Sequence, residues 1–223
     1  MVWSPATGFR TLPRGFAGGG LAINNSGQVA GSATWHQGPG VQRPTRWSDG
    51  QAQQLAEAGV AQGINEDGTV VGYTQTATSG GFHHPVLWDP VSGLRDLGIL
   101  RSGPGSGSAY AANDHGHVVG NADSGADGVR AFLWRAGRMA AIGPKTSFAY
   151  AVNNADHAVG QAAVRGAYHA FLYRDGRSVD LNNAIPRGSI VLESGRGIND
   201  AGWIVADGRN ASGQQRAFVL IPR

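Results

Sequence analysis

The chain has 223 residues, of which 36 are glycine and none cysteine, with 15% charged residues and a formal net charge of +3. A hydrophobic content of 41% with six tryptophans excludes a disordered chain, and so much glycine excludes long helices, where each would cost about 1 kcal/mol relative to alanine. Without cysteine there is no disulfide staple and no thiolate nucleophile or metal ligand.

In chain order, the opening residues lack the basic stretch and apolar run of a secretion signal. No run of 18 apolar residues occurs anywhere, so no membrane insertion is expected. The default placement is cytoplasmic, or extracellular if Met1 is not the native start. Val2-Trp3 and Phe9 to Leu12, around a glycine turn, match Leu87-Trp88 and Leu94 to Leu97 further on. From there the chain is periodic. An anchor Asn-x-x-Gly-x-φ-φ-Gly, with φ apolar, begins at Asn24, Asn65, Asn113, Asn153 and Asn199, at intervals of 41, 48, 40 and 46 residues. The fourth copy replaces the first glycine with Asp156, and the fifth replaces the second with Ala206. Each unit carries a second block: Arg43 to Trp47, His84 to Trp88, Arg130 to Trp134, His169 to Tyr173 and Arg216 to Leu220. A glycine turn and a short apolar run follow the first four.

Asn and Asp next to Gly tolerate the positive φ of tight hairpins. Each unit therefore reads as four short strands, the first ending at the anchor asparagine. Four antiparallel strands per 40 to 48 residues is the pattern of a propeller blade. The prediction is an all-β, five-bladed β-propeller in a single domain, 1–223. Its blades span about 15–56, 57–98, 99–143, 144–186 and 187–223, the last completed by 1–14 so that both termini close the ring and protect its edges.

The tripeptide His169-Ala170-Phe171, with its near copies Arg130-Ala131-Phe132 and Arg216-Ala217-Phe218, resembles the bacterial HAF-repeat proteins. Together with the anchor block, the resemblance covers nearly the full chain. It implies an extracellular repeat protein with no assigned activity.

Five repeats are an alignment within one chain, and what recurs in all of them is most simply scaffold. Trp47, Trp88, Trp134 and Tyr173 read as packing between blades. The recurring Arg43, His84, Arg130, His169 and Arg216 read as partners of local carbonyls or turn carboxylates rather than a cationic ring. Two and four residues before each anchor, all ten positions are alanine or glycine, on one crowded strand face. Three before it stand Leu21, Gln62, Tyr110, Tyr150 and Arg196, where the repeats differ in chemistry. The long second-to-third and inter-repeat loops share one face and carry Trp35, His36, His83, Arg101, Phe148, Arg165, Tyr168 and Glu193.

Glycoside hydrolysis is disfavoured, because no carboxylate lies in the last five residues of any first strand. His115, His117, His157 and Asp156 lack a short metal-binding spacing, so no metal and no cofactor are expected. The arginines follow the repeat rather than forming a patch, which speaks against nucleic acid. The expectation is a monomeric, non-catalytic module that binds a small molecule, glycan or peptide at the channel mouth. Gln62, Tyr110, Tyr150 and Arg196 form the pocket floor, with His83, Trp35, Phe148 and Glu193 on the rim. The alternative is a cofactor-independent lyase, isomerase or cyclase in the same pocket. There His83 or Glu193 would move a proton, and Tyr110 or Arg196 would stabilise negative charge.

Overall fold

The computed structural model describes residues 2–5, 8–13, 17–35, 40–186, 188 and 190–222; His36 lies outside them. The fold is all-β and antiparallel. A hairpin of β1 (Val2–Ser4) and β2 (Gly8–Arg10) comes first. Repeat one is the sheet β3 (Gly18–Ile23), β4 (Val29–Ala33), β5 (Arg43–Ser48) and β6 (Gln51–Gln54). Repeat two is β7 (Val60–Ile64), β8 (Val70–Gln75), β9 (His83–Asp89) and β10 (Gly93–Asp96). Repeat three is β11 (Gly107–Ala112), β12 (Val118–Asp123), β13 (Val129–Arg135) and β14 (Arg138–Ala141). Repeat four is β15 (Ser147–Val152), β16 (Ala158–Val164), β17 (Ala167–Arg174) and β18 (Arg177–Asp180). Repeat five has three strands, β19 (Ile190–Ile198), β20 (Ile204–Asn210) and β21 (Gln215–Leu220). Among the described residues, helix is confined to single 3-10 turns at Gly125–Asp127 and Leu181–Asn183, and none is long and apolar enough to cross a membrane.

The four-stranded antiparallel repeats agree with a propeller-like arrangement, but the sheets number six rather than five. The N-terminal segment does fold as a third-to-fourth-strand hairpin, with Trp3 opposite Phe9 as Trp88 is opposite Leu94. That hairpin is a sheet of its own. It packs on repeat one, where Val2 and Leu12 meet the cluster of Val29, Ala33 and Trp47, and the indole of Trp47 donates to the Pro13 carbonyl at 2.9 Å. Trp88 makes the same bond to Leu55 of repeat one, at 3.0 Å. On the far side, β21 has β20 as its strand neighbour among the described residues.

The anchor asparagine explains both the turn and the stacking. Its Oδ1 accepts from the backbone N–H four residues on, at Gln28, Thr69, His117, His157 and Trp203, over 2.8–3.0 Å. Its Nδ2 donates at 3.0 Å to the backbone carbonyl of the next anchor: Asn24 to Asn65, Asn65 to Asn113, Asn113 to Asn153 and Asn153 to Asn199. A parallel ladder runs one residue on. The N–H groups of Asn25, Glu66, Asp114 and Asn154 donate to the side chains of Glu66, Asp114, Asn154 and Asp200. The turn also needs a left-handed residue, and Asp156 takes it at φ 60° where the other copies have glycine.

The core lies between the sheets, not at a common centre. At the junction of repeats two and three, Val71, Leu87 and Leu97 pack against Ala109, Val118, Phe132 and Trp134. Equivalent sets fill the other junctions. The small residues of the first strands sit at these contacts: a Cβ on Gly63 would lie 2.6 Å from the Tyr110 carbonyl oxygen of the next repeat.

Each first strand bulges two to four residues before its anchor, between Gly20/Ala22, Ala61/Gly63, Ala109/Ala111, Ala149/Ala151 and Gly195/Gly197. In repeats one to four the distorted strand aims a carbonyl across the second-strand glycine. A Cβ on Gly120 would collide with the Ser108 carbonyl oxygen, and one on Gly160 with that of Phe148. Repeat five has a second bulge, between Leu192 and Ser194, and there the close approach falls on Gly208, against the Val191 carbonyl. This is why Ala206 is tolerated at the template position. Replacing Gly120 with alanine should therefore cost about 2 kcal/mol in denaturant unfolding, the scale of an overpacked core. Ala206→Gly should cost no more than about 1 kcal/mol, the entropy of the added freedom.

Candidate binding site on the bulged strands

The positions where the repeats differ are the bulge residues themselves. Leu21, Gln62, Tyr110, Tyr150 and Arg196 each occupy the extra residue of a first strand. A bulge re-aims its side chain while the flanking pairs stay in register. Glu193 holds the additional bulge of β19.

Three of the five bulge residues, with their neighbours, form a row across repeats two to five. The Tyr110 and Tyr150 rings are 5.3 Å apart and tilted. Phe148 stacks on Tyr150 at 6.3 Å, and Tyr168 meets Phe148 edge-on at 6.4 Å. The Arg196 guanidinium lies 5.4 Å from the centre of the Tyr150 ring, within range of a cation–π attraction. His83 stacks on Tyr73 at 5.1 Å. Gln62, Tyr110, Tyr150 and Phe148 are half-buried, whereas His83, Tyr168 and Arg196 are exposed.

Two further members, Tyr73 and Asp207, were open to discovery in the sequence. They follow the second-strand glycine (or its replacement) of their repeats, a position that reads Ser32, Tyr73, Asn121, Gln161 and Asp207 and varies as freely as the bulge. Asp207 holds Arg196 at 2.6 Å. The side-chain oxygen of Asn121 is buried with no hydrogen-bond partner among the described residues.

Electrostatics sets what these groups can donate. Burial pushes the Tyr110 phenol up to about 12, helped by the neighbouring Tyr150 and Tyr73 and opposed by a hydrogen bond with Ser108. Tyr150 is also raised, by burial first, against the pull of Arg196. Both are neutral hydrogen-bond donors at physiological pH. Of the proton carriers in the alternative enzyme reading, Glu193 pairs with Arg209 at 2.8 Å, and the His83 ring stacks on Tyr73.

The remaining expected residues fall elsewhere. Trp35 packs on the core of repeat one and donates to Thr45 at 3.3 Å, away from the row. Arg101 donates to the Pro104 carbonyl in its own loop, and Arg165 occupies the left-handed turn between β16 and β17. The recurring basic residues are all held locally. Arg43 bonds Gln54 and Glu57, His84 bonds Asp96, Arg130 bonds the Gly143 carbonyl, His169 bonds Asp180, and Arg216 bonds Gln214 and the Gln215 carbonyl. Asp156 bridges repeats three and four. Burial would raise its carboxyl, but hydrogen bonds from His117 and Asn113 and the nearby Arg135 hold it below its ordinary value. Among the described residues, no three His, Asp or Glu side chains converge on a metal position.

Three cavities lie apart from the row. One of about 340 Å³ sits between repeats three and four, lined by Arg130, His169 and Asp180. One of about 280 Å³ lies at Arg46 and Trp88. A larger apolar groove of about 870 Å³ runs along β21, bounded by Ile185, Ile198, Leu220 and Pro222. The expected pocket floor is thus a half-open surface row rather than one of these cavities. The chain matches no protein-family model and no curated protein.

Spectrophotometric titration of the phenols should show one of them ionising only near pH 12, and Tyr110→Phe should remove that late step. A raised phenol pKa favours the neutral form in the folded state. Its stabilisation is full below the unfolded value of about 10 and declines between there and the folded value.

Proposed function

We propose that the chain is a propeller-like binding module of five blades, related to the HAF-repeat proteins, which takes a small molecule, glycan or peptide on the aromatic row of Tyr110, Tyr150, Phe148 and Arg196 without catalysing a reaction. The observation that carries this reading is the coincidence of two patterns. The bulge releases a side chain from the ladder in every repeat, and it is also a position where the repeats differ in chemistry. A scaffold has no need of that diversity, whereas a site does.

The chemistry of the row suits a flat or ring-shaped ligand. Half-exposed aromatic faces provide stacking, the neutral Tyr110 hydroxyl donates, and Arg196, held by Asp207, supplies a positioned charge.

The test is a thermal-shift screen over glycans, peptides and metabolites, followed by calorimetry on the hit. Tyr110→Ala and Arg196→Ala should each weaken binding at least tenfold, about 1.4 kcal/mol, whereas Trp35→Phe should leave it unchanged. Wild-type affinity in both alanine variants would overturn the site.

A further inference from the structure

We infer that the outward face of repeat five docks onto the inner strand of repeat one in a second copy of this chain, continuing head to tail the junction that the chain uses four times within itself. The two faces are the two halves of that junction, and both are bare.

Within the chain, the inner strand of each repeat lies across the second and third strands of the repeat before it. The second apolar residue after the anchor is sealed by this contact: Ala30, Val71, Val119 and Val159 are all 0% exposed. Val205, their counterpart in repeat five, is 48% exposed, and Val219 beside it on β21 is 60% exposed. Leu87 and Leu133, the counterparts of Val219 in repeats two and three, are buried. The opposite half is bare on repeat one. Ala61, Ala109 and Ala149 are buried, but Gly20 at their position is exposed. Ile23 is 56% exposed, whereas Ile64, Ala112, Val152 and Ile198 are packed against their junction cores.

The polar ladders stop at the same places. Asn24, Asn65, Asn113 and Asn153 are buried and donate forward, whereas Asn199 is exposed and its Nδ2 meets no next anchor. The N–H of Asp200 likewise has no following side chain, although Asn154 before it donates to Asp200. Asn24 and Asn25 of a second copy offer the two acceptors required, a backbone carbonyl and a side-chain oxygen. Apolar patches and hydrogen-bond donors are therefore matched in register, which a chance patch would not achieve.

A second copy, rather than the same chain bending onto itself, is the occupant that leaves the rest intact. All four internal junctions are packed and bonded through both ladders, and with them in place no strand of repeat five packs on a strand of repeat one among the described residues. The contact asks one local change. Leu220 pairs with Ile204 as Trp88 pairs with Val70, so β21 and the partner's β1 claim the same edge of the partner's β2. When the three-residue β1 yields, repeat five gains the fourth strand that repeats one to four possess. The sequence led to the expectation of a monomer. A face matched to a different face is heterologous, and it builds chains or larger rings.

The test uses Val205→Glu, which places a charge on the outward face, and Ile23→Glu, which places one on the inner strand. Both sites are half-exposed, so each variant should fold, with an unchanged circular dichroism spectrum. In sedimentation over a concentration series, the wild type should rise above the single-chain mass of 23.1 kDa. Each variant alone should remain at that mass. An equimolar mixture of the two should reach twice the single-chain mass and stop, because one open face remains on each. A wild type that stays at one chain mass at every concentration would overturn the inference. In that case, a lowered melting temperature in Val205→Glu would mean that the chain closes on itself, and an unchanged one that the face stays in water. Association of either variant as strong as that of the wild type, or no dimer in the mixture, would also overturn it.

Discussion

The architecture rests on one side-chain amide per repeat. The anchor asparagine must accept from its own turn and donate to the turn of the next sheet, and it is buried while doing so in the first four repeats. Only a side chain with an acceptor and a donor on one short stem satisfies both. Aspartate at that position would keep the first bond and set a charge against a carbonyl oxygen in the second. A net hydrogen bond is worth about 1 kcal/mol, but a buried amide left without its partner costs more than that. The ladder therefore does more to fix how each sheet stacks than to add stability. It specifies the offset of every repeat relative to its neighbour, and the apolar contacts fill in around it.

The same logic accounts for the one repeat that departs from the turn pattern. Asp156 retains the left-handed backbone that glycine provides elsewhere, and its carboxylate gathers Asn113, His117 and Arg135 from repeat three. The substitution keeps the geometry and adds an ionic clasp across a junction. Because the carboxyl is held below its ordinary value, its contribution is present above the ordinary carboxylate range and is lost as the pH falls through that range.

Much of this was legible in the sequence because it recurs. The repeat length, the four strands and the turn glycines follow from residue spacing alone. So does the local role of Arg43, His84, Arg130, His169 and Arg216, whose partners lie within their own repeats. The N-terminal hairpin was readable from Trp3 and Phe9, but its standing as a separate two-stranded sheet was not, because edge pairing depends on where distant strands come to lie. The bulge was invisible for a related reason. It alters register without altering composition, so Leu21, Gln62, Tyr110, Tyr150 and Arg196 could be found as variable positions but not as released side chains. Trp35 shows the converse error. A residue that occurs in one repeat only was read as free for a site, yet its ring completes a core and its indole nitrogen bonds Thr45.

Constraint and freedom in each repeat come from one backbone distortion. The bulge turns a carbonyl of the first strand across the second strand, and the space it takes is the space a Cβ would need. That forces glycine at one position. The same distortion leaves the residue two positions on outside the ladder, so its side chain is not fixed by strand pairing. In repeats one to four the glycine and its variable partner are thus two readings of one feature; in repeat five the bulge at Arg196 faces Ala206, and the pairing of glycine with a released side chain is found at the additional bulge. There the close approach shifts to Gly208 and a further side chain, Glu193, is released. A site on this scaffold can change its chemistry repeat by repeat at the bulge while the glycine opposite holds the sheet in place.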